Sequence, residues 1–292
     1  MLPDSNTTSI LRHDALEAEQ LGRLTDRQLD MIRSYKWFKL FVPKEYGGLE
    51  LSLPEALRLE ERLSWIDGSV GWVVTLCAGA GWFIKFADKG FARSILKDDN
   101  FCVAGSGAVG TADVVPGGFK INGSWKYASG SLHATAFTVN CRVDGEVKSF
   151  FLLPNEVTIR HTWNSMGMIA TGSHSFEVKD QVVAKDRMFL IAREPFLELA
   201  DTTLAVNISG MALRFIELSG SKTGTLDHYR EKFFRRPDRE ASLALVKTSR
   251  DIVNDLYWQC GLSAANKDTE INRVWRNFHT AAQHSLFSRK ER

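Results

Sequence analysis

Four polar residues late in the chain, Arg273, Asn277, Thr280 and His284, recur at i, i+4, i+7 and i+11, the spacing that lines up one side of a helix. Val274, Trp275, Phe278, Ala282 and Leu286 supply apolar surface to the same segment. Such a stripe is most often a solvated face. It is also a way for a helix to present an imidazole, whose pKa lies near neutrality, to a substrate proton. A second candidate is INGSWKYASG, Ile121 to Gly130, which reads as a hairpin turn at Asn122-Gly123 leading into a strand. Period-two alternation places Trp125, Tyr127 and Ser129 on one face of that strand. A hydroxyl beside large aromatic surfaces suits a planar ring with a polar edge. The plain alternative is a core face that Ser129 merely ends.

Other chemistries are excluded by spacing. Gly105, Gly107 and Gly110 spell GxGxxG, but TADVVPGG follows where a dinucleotide site needs a helix amino terminus. Those glycines fit a close approach to a flat ligand or a neighbouring strand instead. His279 and His284 are five apart, about 140° around a helix, and cannot share a metal. His13, His133, His161, His174 and His228 show no ligand spacing. Cys77, Cys102, Cys141 and Cys260 form no CxxC pair, so neither zinc nor a disulfide framework is indicated and a reducing cytoplasm fits.

The elements that must position these residues fall into three parts. Residues 1–96 carry helical periodicity, with Thr25 or Asp26 placed to cap one helix and Pro54 to begin another. Residues 97–190 switch to short β-branched and aromatic runs punctuated by Gly, Asn and Asp, the pattern of an antiparallel β domain closed or nearly closed into a barrel. Residues 191–292 return to helices, giving an α+β fold overall. The 37 Lys plus Arg against 35 Asp plus Glu give no electrostatic reason to expect nucleic acid or an anionic membrane. Lys232, Arg235 and Arg236 read as a solvated helix end, with an anionic ligand or a neighbouring subunit as the alternative. MLPDSNTTSILRHD lacks the basic-then-apolar arrangement of a signal peptide, and the uncharged stretch Gly68 to Ile84 reads as a buried core helix rather than a membrane span.

In order and spacing, these segments resemble the flavin-dependent acyl-CoA dehydrogenase superfamily, and more closely its branch of reduced-flavin, two-component monooxygenases. The resemblance rests on INGSWKYASG, RVWRNFHTAAQH, TWNSMGMIATGSHSFEV, LFVPKEYGG and WIDGSVGW, and it covers most of the chain to about residue 217. It implies FAD, with FMN possible, held by Trp125, Tyr127, Ser129, Thr171, Gly172, Ser173, Arg273 and Arg276, with Ser129 hydrogen-bonded near the flavin N5. It implies His284 as the base toward a small aromatic or apolar substrate, a separate flavin reductase, and a homo-oligomer. Acyl-CoA oxidation is the alternative activity, but Ser285 stands where that branch commonly has a glutamate. A scaffold that binds no flavin is the alternative of another class. Two departures favour it: the usual arginine-aspartate pair is Arg276-Asn277, and only SKTGTLDHYREKFFRRPDR occupies the place of a long helix pair.

Overall fold

The computed structural model describes residues 2–191 and 193–287, apart from the side chain of Arg193. Six helices come first: α1 (Ser5–His13), α2 (Ala15–Leu21), α3 (Asp26–Ser34), α4 (Leu53–Ile66), α5 (Gly68–Gly81) and α6 (Lys89–Leu96). Their starts are encoded locally. Thr25 rather than Asp26 caps α3: its hydroxyl accepts the Gln28 amide at 3.1 Å while the Gln28 side chain accepts the Thr25 amide at 3.0 Å. Asp67 caps α5 by accepting the Val70 amide at 2.9 Å. The stretch Gly68–Phe86 is long and apolar enough to cross a membrane, yet 67% of it is buried inside the protein. It is a core helix. At Gly71 a Cβ would lie 2.1 Å from the Ser64 hydroxyl, so glycine is what lets α5 close on α4.

The middle of the chain folds into β1 (Val103–Val115), β2 (Gly118–Ala128), β3 (Ala136–Val143), β4 (Glu146–Leu152), β5 (Thr158–Arg160), β6 (His174–Ala184) and β7 (Met188–Phe189). They form one seven-stranded sheet in the order β5-β6-β2-β1-β3-β4-β7. The expected barrel is thus realised as an open sheet with β5 and β7 at its edges, and the β1·β3 pair is parallel while the others are antiparallel. The first hairpin turns at Pro116-Gly117, where Val115 pairs with Gly118, and not at Asn122-Gly123, which lie inside β2. Trp125, Phe137, Phe150 and Phe176 pack the sheet's buried face, Trp125 stacked on Phe176 at 5.4 Å between ring centres. A Cβ at Gly110 would lie 2.6 Å from the Trp125 indole, so that glycine of the GxGxxG run makes room for a core side chain.

After the sheet come α7 (Arg193–Leu218), α8 (Gly224–Arg235), α9 (Arg239–Tyr257), α10 (Gly261–Ala265) and α11 (Glu270–Ala281). The long α7 packs on α4, α5, α9 and α11. Phe215, Phe233, Leu245 and Phe278 fill the bundle core. Arg230 of α8 reaches Glu61 of α4 with both carboxylate oxygens engaged, at 2.8 and 2.7 Å, and Ser209 of α7 donates to the same carboxylate at 2.6 Å. Burial makes that three-helix tie stronger than a surface ion pair of the same geometry.

Candidate functional site

The bundle and the sheet meet where β2 ends. The ladder with β6 is irregular between Trp125 and Ala128, and Tyr127 takes a left-handed φ of 64°. This bulge breaks the alternation read from sequence. Trp125 turns into the sheet core, fully buried, with its indole N–H donating to the Ala108 carbonyl at 3.0 Å. Tyr127 turns outward at 70% exposure, its ring edge-on to Trp163 at 6.2 Å. Ser129 lies past the strand end, buried, facing α5. The three do not share a face.

Ser129 is instead the hub of a hydroxyl chain. The Trp72 indole of α5 donates to its Oγ at 3.2 Å; Ser129 Oγ and Ser173 Oγ are 2.8 Å apart; Ser173 Oγ and Thr171 Oγ1 are 2.7 Å apart; and Thr171 Oγ1 donates to the Met168 carbonyl at 2.7 Å. Thr171 is committed as donor to Met168, which fixes the direction of the remaining bonds in the chain. Ser173 must then donate to Thr171 and Ser129 to Ser173, so every hydroxyl proton of the chain is used, and Ser129 Oγ, which accepts the Trp72 indole, keeps a lone pair for a donor outside the chain. Gly172 supplies the left-handed corner of this turn, φ 52°, between the two hydroxyl residues.

The turn is anchored on α11. Asn277 Oδ1 accepts the Met168 amide at 2.6 Å, and at Gly167 a Cβ would lie 2.1 Å from the Arg276 carbonyl, so the loop backbone lies directly on the helix. The Met168 carbonyl also accepts the Trp163 indole at 2.8 Å. A neutral amide fits position 277, because the neighbouring guanidinium is already used: Arg276 pairs with Glu19 at 2.7 Å and donates to the Met166 carbonyl at 2.8 Å and to Asn272 at 2.7 Å. A carboxylate there would be buried without a cation. Arg276 therefore ties α11 to α2 and the loop. Arg273 is half-buried near Asp67; burial raises the Asp67 carboxyl above its ordinary pKa, and the Arg273 charge opposes that rise.

His284 does not end the helix as the stripe predicted, since α11 stops at Ala281. It follows in the next turn, its ring edge-on to Trp72 at 5.9 Å and its Nδ1 accepting the Leu286 amide at 3.3 Å. That bond leaves Nε2 as the nitrogen carrying the proton in the neutral ring. The hydroxyl of Thr280, one turn earlier on the same stripe, is buried and meets no partner among the described residues. Nearby His174 accepts the Trp163 amide on Nδ1 at 3.0 Å, and burial followed by the His161 ring pushes its pKa down, so it stays neutral. The structure thus brings together Ser129, Thr171, Ser173 and His284, and the residue that joins them is Trp72. Sequence reading gave Trp72 no role: α5 is apolar all round, and no periodicity marks which of its residues faces the sheet. Among the described residues no cluster of His, Cys, Asp and Glu could hold a metal ion.

A family model described as acyl-CoA dehydrogenase, C-terminal domain, matches residues 200–289. Among curated proteins, the chain is 31% identical over 215 residues to an indole-3-acetate monooxygenase of Pseudomonas putida, covering 68% of this chain and 55% of that one. It is 32% identical over 184 residues to the flavin-dependent monooxygenase oxygenase subunit HsaA of Mycobacterium tuberculosis, covering 61% and 47%. The chain spans about half the length of these relatives. Among solved structures, XiaF from Streptomyces sp., in complex with FADH2 and glycerol, superposes with a TM-score of 0.85 at 22% identity, covering 97% of this chain and 89% of that one. The M. tuberculosis HsaA monooxygenase superposes at 0.86, also 22% identical, covering 96% and 90%. Those two likenesses show the fold. Residues 200–289 thus match the acyl-CoA dehydrogenase carboxy-terminal domain, and the chain is similar to oxygenase components of flavin-dependent monooxygenases.

Proposed function

We propose that the protein is the oxygenase component of a two-component flavin-dependent monooxygenase that hydroxylates a small aromatic substrate. The carrying observation is that the Ser129 hydroxyl chain and His284 converge on one indole, Trp72. The similarity to monooxygenase oxygenase subunits supports the reading. The residues fit a flavin: Ser129 Oγ could accept a hydrogen bond from a ring N–H, and Trp72 fixes that hydroxyl from behind. Reduced FAD, with FMN as the alternative, would supply activated oxygen when bound. Ser129, Thr171 and Ser173 would hold its polar edge, with the Gly172 corner beside them, and Arg273 remains available to an anionic part of the cofactor. Trp125 supports the sheet behind the site, and Tyr127 lines its outer rim.

His284 would take the proton from a phenolic or similar substrate on Nδ1, the nitrogen without a proton in the neutral ring, in exchange for its long 3.3 Å bond from the Leu286 amide, raising the electron density of the ring that is attacked. A separate reductase would deliver the reduced flavin, and a homo-oligomer would complete the site with a neighbouring subunit. The test is to titrate the purified protein with oxidised and reduced FAD and FMN, then assay product from a panel of phenols with chemically reduced flavin. His284→Ala should lower product yield by about 10²–10⁴ while flavin affinity is kept. Undiminished yield in the variant would remove His284 as the base; flavin binding without any product, or no flavin binding in the wild type, would favour acyl-CoA oxidation or a silent scaffold respectively.

A further inference from the structure

Away from that site, α4, α7 and α8 enclose a groove of about 370 Å³ lined by Arg58, Arg62, Trp65, Glu217, Thr223 and Arg230 among others. Its size is that of a small-ligand pocket. The carboxylates around it are already satisfied: Glu61 by Arg230, and Glu217 by Arg214 at 2.9 Å and by the Trp65 indole N–H at 3.0 Å. Arg214 also takes Glu270, at 2.7 Å, and Arg230 also takes Asp227, at 2.7 Å. Three guanidiniums are left over. Arg62 lies over the Trp65 ring at 3.9 Å, Arg12 over the same ring at 4.0 Å, and Arg58 over Phe234 at 4.9 Å. None of the three forms an ion pair among the described residues, and the Nε and Nη2 donors of Arg12 are buried without an acceptor.

The geometry decides what such a site would take. A guanidinium stacked on an aromatic ring has its face covered and its edge, with its parallel N–H donors, turned to the side. Two such edges at the mouth of one groove match an oxyanion that can accept several hydrogen bonds at once. Glu217 offsets part of the charge on Arg12 and Arg62, but it is already engaged by Arg214 and the Trp65 indole, and the guanidinium edges that remain favour a phosphoryl oxyanion over a single carboxylate. Burial, then the neighbouring Arg214, press the Arg12 guanidinium below its ordinary pKa, and Glu270 and Glu217 oppose that shift only in part. Arg12 also lines an adjoining groove on α1 with the hydroxyl residues Ser5, Thr8 and Ser9, and the buried Thr8 hydroxyl likewise has no partner.

We infer that this groove is a binding site for a phosphoryl group, held by the edges of Arg58 and Arg62 with Arg12 contributing charge from the far end of the Trp65 ring. The ligand could be free phosphate or the terminal phosphate of a larger molecule. The inference is independent of the flavin reading, because none of these residues belongs to the Ser129–His284 site.

The experiment is calorimetric titration of the whole protein with inorganic phosphate and, separately, with a phosphate monoester such as glycerol phosphate, at constant ionic strength set with chloride. Saturable binding is expected in the millimolar range or tighter, with succinate binding more weakly. Arg58→Gln and Arg62→Gln, both at the groove mouth, should each weaken it by about tenfold or more, the loss expected for a charge-assisted hydrogen bond. Tighter binding of the monoester than of phosphate would identify the groove as the phosphate end of a larger ligand's site; equal binding would identify free phosphate. Thermal unfolding of the variants in chloride alone checks that they fold. Absence of saturable binding in the wild type, or identical affinity in folded variants, would overturn the inference.

Discussion

Glu60 offers the sharpest energetic test, because its burial is complete and its pairing is absent. It sits on α4 facing α5 and α7, 0% exposed, and neither carboxylate oxygen has a hydrogen-bond partner among the described residues. Burial pushes its pKa from 4.5 up to about 8, and the nearby Thr75 hydroxyl opposes that shift only in part. The sign follows directly. Below about pH 4.5 folded and unfolded chains both carry the proton and Glu60 costs nothing through ionisation. Between there and about pH 8 the unfolded chain releases the proton while the folded one keeps it, so stability falls as pH rises; above about pH 8 the penalty is constant. At about 1.4 kcal/mol per unit, the cost at pH 7 is about 3 kcal/mol. Glu60→Gln keeps the shape and removes the titration. Its stability relative to wild type should therefore climb by about 1.4 kcal/mol per pH unit between pH 5 and 7, measured by chemical denaturation at each pH. A difference that stays flat across that range would refute the assignment of Glu60 as a buried neutral acid, whatever its absolute size.

Further outcomes follow from the site. Asn277→Leu strands the buried Met168 amide and should cost about 1–3 kcal/mol in thermal or chemical unfolding; Asn277→Asp should cost more at pH 7 than at pH 4, since burial opposes its added charge and Arg276 is already paired. Ser129→Ala leaves the Trp72 indole without its acceptor and removes one hydrogen bond toward flavin, so flavin affinity or oxidation kinetics should shift by the equivalent of about 0.5–1.5 kcal/mol, read by fluorescence titration and stopped flow. Sedimentation at micromolar concentration should show a dimer or higher oligomer; a stable monomer would count against a site completed by a second subunit.

The three-part architecture was legible in the sequence because period is a property of neighbours: Leu29 and Ile32 mark a helix face, and the runs about Val139 and Phe150 mark strands, whatever they pack against. Caps were legible for the same reason, as at Thr25. What failed were features decided by partners distant in sequence. Asn122-Gly123 has the spelling of a turn, but pairing with β6 on one side and β1 on the other carries β2 straight through it. The alternation that joined Trp125 to Tyr127 and Ser129 fails at one irregularity in that pairing, which no local rule predicts. The partners of Arg276, Glu19 and Met166, likewise lie far away along the chain.

The composition of the convergent site carries a consequence for its chemistry. Trp72, Ser129, Thr171, Ser173 and Asn277 hold one another through neutral donors and acceptors, and the nearest charged group on the same helix, Arg276, is spent on Glu19. None of these five side chains titrates near neutrality, and His174 is held neutral by its burial. The hydrogen-bond frame is therefore indifferent to pH across the range in which an imidazole changes charge. His284 stands against that frame as an imidazole, a side chain suited to proton transfer. A step in a pH–rate profile between about pH 5 and 8 that disappears in His284→Asn, with flavin affinity unchanged at both ends of the range, would report His284. A step that survives the substitution belongs to another group: the substrate, or the Glu60 and Asp67 carboxyls that burial raises.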